Sequence, residues 1–379
     1  MSAWRKSKVP IVHIYLLTFV LILSTFLIGN FNYTEKRDEY DEQLIAATLM
    51  DQCLKEIAIL RTELGIPFNP EIDPNYTGIM GEEFTLLTTS VGDESAKRTG
   101  TNPNFAAVLV RYFADLGLKK GDLIVVGSSG SFPSLLLATL CACKAYGLNP
   151  LVTYSFGSSM YGSTLVDMTF YDMLERLREK DLLPYEFVAV SMGGKNDQGE
   201  DNTFSWIFEL LEGVEANQQE VLRGLCERAS VPFIDIPDFE ENIRYRLGLF
   251  DKLASELGEQ IKCFINVGGA GYNHGGTSDS LNLANGAVRM FSSLPQDPRR
   301  GLTFEYLARG IPIINLLNIK GLALSNGLPI DPVPLPEPGE GGVFYKETYP
   351  KAMVLAAIAL ALIYLIYLAL KNRRPLVKS

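Results

Sequence analysis

Four short stretches hold most of the side chains that could meet a ligand: residues 127–131, 155–162, 191–199 and 266–276. They supply Ser128, Ser129, Gly130 and Ser131, then Ser158 and Ser159. The third adds Gly193, Gly194, Lys195, Asn196 and Asp197, and the fourth Gly268, Gly269, Asn273 and His274. These residues offer backbone N–H groups with little bulk around them, hydroxyl donors and one ammonium. Such a set suits a carboxylate or an amide-rich ligand.

A sharper chemistry is nucleophilic catalysis, with Ser131, His274 and Asp197 as candidates. A serine at a strand-to-helix turn needs a base, and His274 is the only histidine outside the first apolar run. Asp197 or Asp279 would orient it. The motif itself is wrong, because Gly127-Ser-Ser-Gly-Ser ends in Ser131 where a nucleophile elbow has glycine. His274 with Asp197, Asp201 and Asn273 has no diagnostic metal spacing, so no metal is expected. Gly268-Gly-Ala-Gly departs from the dinucleotide fingerprint, and the phosphate-loop Gly-Lys-Ser/Thr is absent. No cofactor is expected.

The elements that must position these loops read as alternating strands and helices. Leu123–Val126 is a short β-branched strand. Pro133 suits the first turn of the helix after it, and Gly147 ends that helix. Further strands are expected at Pro150–Tyr154, Phe187–Val190, Phe233–Ile236, Ile261–Val267 and Ile311–Leu317. Helices are expected at 104–116, 167–180, 206–228, 238–257 and 304–308. Four of the strands end in the loops above, which places the loops along one edge of a parallel sheet. The expected fold class is α/β, a mostly parallel, doubly wound, Rossmann-like sheet flanked by one N-terminal and one C-terminal transmembrane helix.

Ile11–Gly29 and Ala352–Leu370 are each apolar and long enough to span a bilayer. Arg5, Lys6 and Lys8 precede the first, and Lys371, Arg373, Arg374 and Lys378 follow the second. Basic outer flanks place both termini in the cytoplasm and the central domain outside it. The first run has no small-x-small cleavage site, so it is expected to stay as an anchor. The expected divisions are residues 1–30 (tail and first span), 31–65 (amphipathic stalk helix), 66–338 (extracytoplasmic α/β domain), 339–351 (linker), 352–370 (second span) and 371–379 (basic tail). Of 34 basic residues, seven lie in the flanks. The remainder carries 27 against 44 acidic, a net of −17, which excludes a nucleic-acid binder. Five cysteines with scattered spacing are not a disulfide framework and read as small buried hydrophobes.

Several short pieces point to a family. They are Ala96-Lys-Arg-Thr with Asn102-Pro-Asn-Phe-Ala-Ala, Gly130-Ser-Phe-Pro, Ser191-Met-Gly-Gly-Lys-Asn-Asp, Asn266-Val-Gly-Gly, and Ile313-Ile-Asn-Leu-Leu-Asn-Ile-Lys with Gly327-Leu-Pro-Ile-Asp-Pro. Together, from about Gly78 to Pro338, the chain resembles the poly-gamma-glutamate system protein family, membrane-anchored accessories of bacterial poly-γ-glutamate capsule or slime synthesis. The resemblance implies a place in the cell membrane beside poly-γ-glutamate synthase subunits. It brings no catalytic residue with it. The leading expectation is an accessory that binds, guides or helps release the polymer or its glutamate precursor. The alternatives are an extracytoplasmic amide hydrolase or transferase acting on the polymer, and a scaffold for the synthase that binds no ligand.

Overall fold

The structure, a computed structural model, describes residues 11–30, 33–199, 217–275, 282–291 and 293–371 of the chain. They form two compact units. One joins the residues up to Arg37 with those from Tyr345 onward, and the other is Asp38–Phe344.

In the first unit, helix α1 (Ile11–Asn30) and helix α12 (Lys351–Lys371) lie antiparallel and in contact. Both are long and apolar enough to cross a membrane. His13 Nδ1 meets the Tyr364 hydroxyl at 2.7 Å. A two-stranded antiparallel ribbon closes the hairpin: β1 (Tyr33–Lys36) pairs with β10 (Tyr345–Thr348), Tyr33 opposite Thr348. Neither strand is expected from sequence, because Tyr-Thr-Glu-Lys has no apolar alternation. Residues 339–351 are therefore not a plain linker. Val343 and Phe344 are buried in the second unit, and the ribbon strand follows them.

The second unit is a mixed α/β domain around a six-stranded sheet. Its strands are β3 (Leu123–Ser129), β4 (Asn149–Ser155), β6 (Phe187–Ser191), β7 (Ile261–Val267), β8 (Gly286–Val288) and β9 (Ile313–Leu316). Their order is β6-β4-β3-β7-β9-β8, and only β8 runs antiparallel. The chain builds outward from β3 through β4 to β6, then returns to the other side of β3 with β7. The expected strand at Phe233–Ile236 shrinks to one parallel bridge between Phe233 and Val190. Pro232, with no N–H to give, prevents the ladder from extending upstream of that bridge.

Side chains alternate across β3. Leu123 and Val125 pack on one face with Ile243, Leu247 and Phe250 of α8 (Phe239–Leu257) and Phe304 of α10 (Leu302–Ala308). Ile124 and Val126 point to the opposite face, where α5 (Pro133–Tyr146) packs against α2 (Tyr40–Glu63) and α4 (Phe105–Leu116). Pro133 opens α5, and Gly147, in the left-handed region at φ +78°, closes it. Asp238 caps α8 by accepting the Glu241 amide at 2.8 Å.

Of the 31–65 segment, α2 packs into the domain rather than standing clear of it as a stalk. Ala46, Ala47, Met50, Cys53 and Ile57 of α2 are fully buried, and Gln43 donates to the Ala107 and Val343 carbonyls at 3.1 Å each. All five cysteines are buried and free. Of the expected helix at 206–228, the described part is α7 (Gln218–Arg228). Three short elements escape sequence reading: β2 (Thr88–Ser90) and α3 (Glu94–Gly100) in polar stretches, and α11 (Ile319–Ser325).

Ile57→Ala separates a packed helix from a free one. In urea unfolding of the detergent-solubilised full-length protein, we expect a loss of about 2–5 kcal/mol. A helix standing clear of the domain would lose almost nothing.

Candidate functional site

The loops that leave β3, β4, β6 and β7 meet around a cavity of about 330 Å³ at the carboxyl edge of the sheet. This is where the strand order reverses, the position at which open α/β sheets bind ligands. Ser129 and Ser131 line it from the first loop, and Ser155 and Gly157 from the second. Gly193, Gly194, Lys195, Asn196 and Asp197 line it from the third, and Gly269 through Tyr272 from the fourth. Thr89 and Ser90 close one side, held there because β2 pairs in parallel with β5 (Ser158–Ser159).

The third loop is a run of left-handed backbone: φ is +80° at Gly193, +69° at Gly194, +53° at Asn196 and +64° at Asp197. Glycine, asparagine and aspartate are the residues that tolerate this region. The bend folds Asp197 inward, where Oδ1 accepts the Gly193 amide at 2.9 Å and the Ser191 hydroxyl at 2.8 Å. Gly157 answers a different demand. Its amide reaches the Met192 carbonyl at 2.7 Å, and a Cβ there would stand 2.9 Å from the Gly194 nitrogen.

Two buried basic side chains tie the loops together. Arg246 of α8 is fully buried and bonds Asp197 Oδ2 at 2.5 Å, the Ser191 hydroxyl at 3.0 Å and Asn242 Oδ1 at 2.7 Å. Its guanidinium lies 3.6 Å from the centre of the Tyr272 ring, and the Tyr272 hydroxyl donates to the Ser128 carbonyl at 2.7 Å. Burial raises the Tyr272 phenol to about 12, so it remains a donor. On the other side stands Lys97 of α3, 1% exposed. Its Nζ bonds the Ser131 carbonyl, lies 2.6 Å from Ser159 Oγ and sits 3.8 Å from the centre of the Phe132 ring.

The expected site residues divide accordingly. Ser129, Ser131, Gly193, Gly194, Lys195, Asn196, Asp197 and Gly269 face the cavity together. Ser128 and Ser158 do not, because their hydroxyls turn inward to the Thr153 carbonyl at 2.8 Å and the Gly130 carbonyl at 2.9 Å. Gly130 gives its amide to the Ser155 carbonyl, and Ser159 gives its own to Ser131 Oγ at 3.0 Å. Gly268 holds a turn at φ +82°.

Asn273 and His274 lie behind the wall. Asn273 donates to Asn266 Oδ1, which belongs to an amide that donates in turn to Asn315 Oδ1. His274 Nε2 lies 2.8 Å from the Gly268 carbonyl and 3.1 Å from Asn266 Nδ2. Burial lowers the His274 pKa against the opposing pull of that carbonyl. The catalytic set Ser131–His274–Asp197 is therefore not assembled. His274 touches neither serine nor carboxylate, and Asp197 is committed to Arg246. Asp201 and Asp279 lie outside the described residues. Among the described residues, no three metal-ligating side chains form a group.

Sequence reading misses Arg246 and Lys97, yet each leaves a trace. Asn242 and Arg246 fall on the apolar face of α8 with Ile243, Leu247 and Phe250. A polar residue at a core position signals a buried network. Lys97 is notable in sequence only as a cation in an acid-rich domain.

Comparison with known proteins gives no match to a family model, a curated protein or a solved structure.

Asp197→Ala leaves a guanidinium buried without its counter-charge. We expect a loss of about 3–5 kcal/mol in urea unfolding, largely recovered when Arg246→Met is added. Equal losses in the single and double variants would show that the pair does not organise this wall.

Proposed function

We propose that this chain is a membrane-anchored accessory of poly-γ-glutamate capsule or slime synthesis or export. Its Rossmann-like sheet domain takes a carboxylate-bearing segment of the polymer, or its precursor, into the cavity at the sheet edge. One observation carries this reading. Of the pieces on which the family resemblance rests, Gly130-Ser-Phe-Pro, Ser191–Asp197 and Asn266-Val-Gly-Gly come from distant parts of the chain and each contributes residues to the lining of one cavity.

The chemistry agrees with the ligand class. Lys195 is exposed at the cavity rim, while Asp197 is neutralised by Arg246. Hydroxyls of Ser129, Ser131 and Ser90 and loop amides are left to meet carboxylates and amides one or two at a time. The acidic remainder of the surface disfavours broad capture of a polyanion and leaves local recognition. In this reading α1 and α12 cross the cell membrane with both termini in the cytoplasm, and the domain faces outward. Synthase subunits are its natural partners there.

Calorimetric titration of the detergent-solubilised full-length protein with γ-linked glutamate oligomers tests the binding. We expect saturable heat, and roughly fivefold weaker binding for Lys195→Ala, the scale of an exposed charge pair. No heat with the wild type would leave the scaffold role. Orientation has its own readout: the Pro336→Cys variant should react with a membrane-impermeant maleimide on intact cells. The native thiols, all buried, give little background. Protection of the introduced thiol until lysis would reverse the topology.

A further inference from the structure

Lys97 has no role in the binding reading, and its surroundings are unusual for a lysine. A buried ammonium ordinarily has a carboxylate beside it. Here the neighbours are a carbonyl, a hydroxyl and the Phe132 ring, and among the described residues no carboxylate lies within ion-pair distance. Asp93, one turn earlier in the chain, is held by Lys320 at 2.6 Å. Arg98 is taken by Glu94 and Asp331. Burial pulls the Lys97 amine down to about 7, against a smaller raising effect of the Asp93 charge. A neutral amine has two N–H groups and one lone pair. The Ser131 carbonyl and the ring face suit the N–H groups, and the lone pair is left for the Ser159 hydroxyl.

We propose that Ser159 and Lys97 form a nucleophile–base couple for acyl transfer from an amide. Ser159 Oγ lies 2.6 Å from Nζ, within the reach required of a nucleophile and its base. The serine adjoins two residues that line the cavity. Its amide bonds Ser131 Oγ, and its partner across the β2–β5 pairing is Ser90. It keeps 7% of its surface exposed.

Ser159 Oγ attacks the amide carbonyl carbon while its proton passes to Lys97 Nζ. The C–N bond breaks, and the leaving nitrogen takes that proton from the ammonium, which leaves an ester on Ser159. Water, or a second amine, then attacks the ester through the same relay and frees the serine. The couple stands independently of the binding reading. The substrate class, an amide within an anionic chain, rests on it.

The test is adduct mapping on the detergent-solubilised full-length protein with a fluorophosphonate probe. We expect the adduct on Ser159, formed faster as pH rises through about 7, where Lys97 loses its proton. Ser159→Ala and Lys97→Met should each abolish it, with thermal melts recorded beside them. The wild-type map stands whether or not those variants fold. No adduct on the folded wild type, or an adduct on Ser131 in place of Ser159, overturns the couple. Incubation with γ-linked glutamate oligomers separates the two readings. An adduct on Ser159 without cleavage keeps the couple and removes this polymer as its substrate.

Discussion

A guanidinium taken fully out of water must find its partners inside, and Arg246 finds them on two loops at once. Asp197 and Ser191 come from the segment after β6, and Tyr272 from the segment after β7. Those segments follow strands on opposite sides of β3. The sheet brings their ends near, and the buried charge holds them in one arrangement. Truncating either partner exposes the full cost of an isolated charge in an apolar setting. Lys97 does the corresponding work for the other two loops, joining the turn after β3 to the β5 strand. The cavity between them is thus bounded on both sides by buried basic side chains whose partners are protein groups.

The left-handed run from Gly193 to Asp197 is the backbone counterpart of that arrangement. Gly193 and Gly194 take this region freely, whereas Asn196 and Asp197 carry a conformational cost that persists only where the surroundings impose it. Here Arg246 and the Gly193 amide both draw the Asp197 carboxylate inward. The same bend leaves Lys195 outward at the rim. One residue pair sets both the neutralised wall and the single exposed charge that faces a ligand.

Much of the scaffold was readable from residue types. The parallel strands are buried on both faces and appear as short apolar runs, and α5 and α8 carry their own start and stop residues. The four loops were visible because glycine, serine and asparagine follow each of those runs. Polar elements were not readable: β1, β2 and α3 have neither apolar alternation nor helical periodicity, and tertiary pairing makes them. Phe233–Ile236 failed for the opposite reason, since a good strand composition meets a proline where the ladder would begin. Within the site, residue type did not tell which way a serine turns. Ser128, near the end of β3, and Ser131, in the turn after it, are three residues apart, yet the Ser128 hydroxyl bonds the Thr153 carbonyl while Ser131 lines the cavity. Lys97 and Arg246 were hidden because burial of a charge is a property of the assembled fold.

The place of β3 also bears on how the domain comes to be built. Leu123 pairs with Asn149 on one side and with Ile261 on the other. The near partner is made almost at once, and the far one only after the whole β4–β6 half has been synthesised. Contacts of such sequence separation slow folding. Until β7 arrives, a strand of Leu-Ile-Val-Val presents an open edge, the kind of surface that recruits wrong partners.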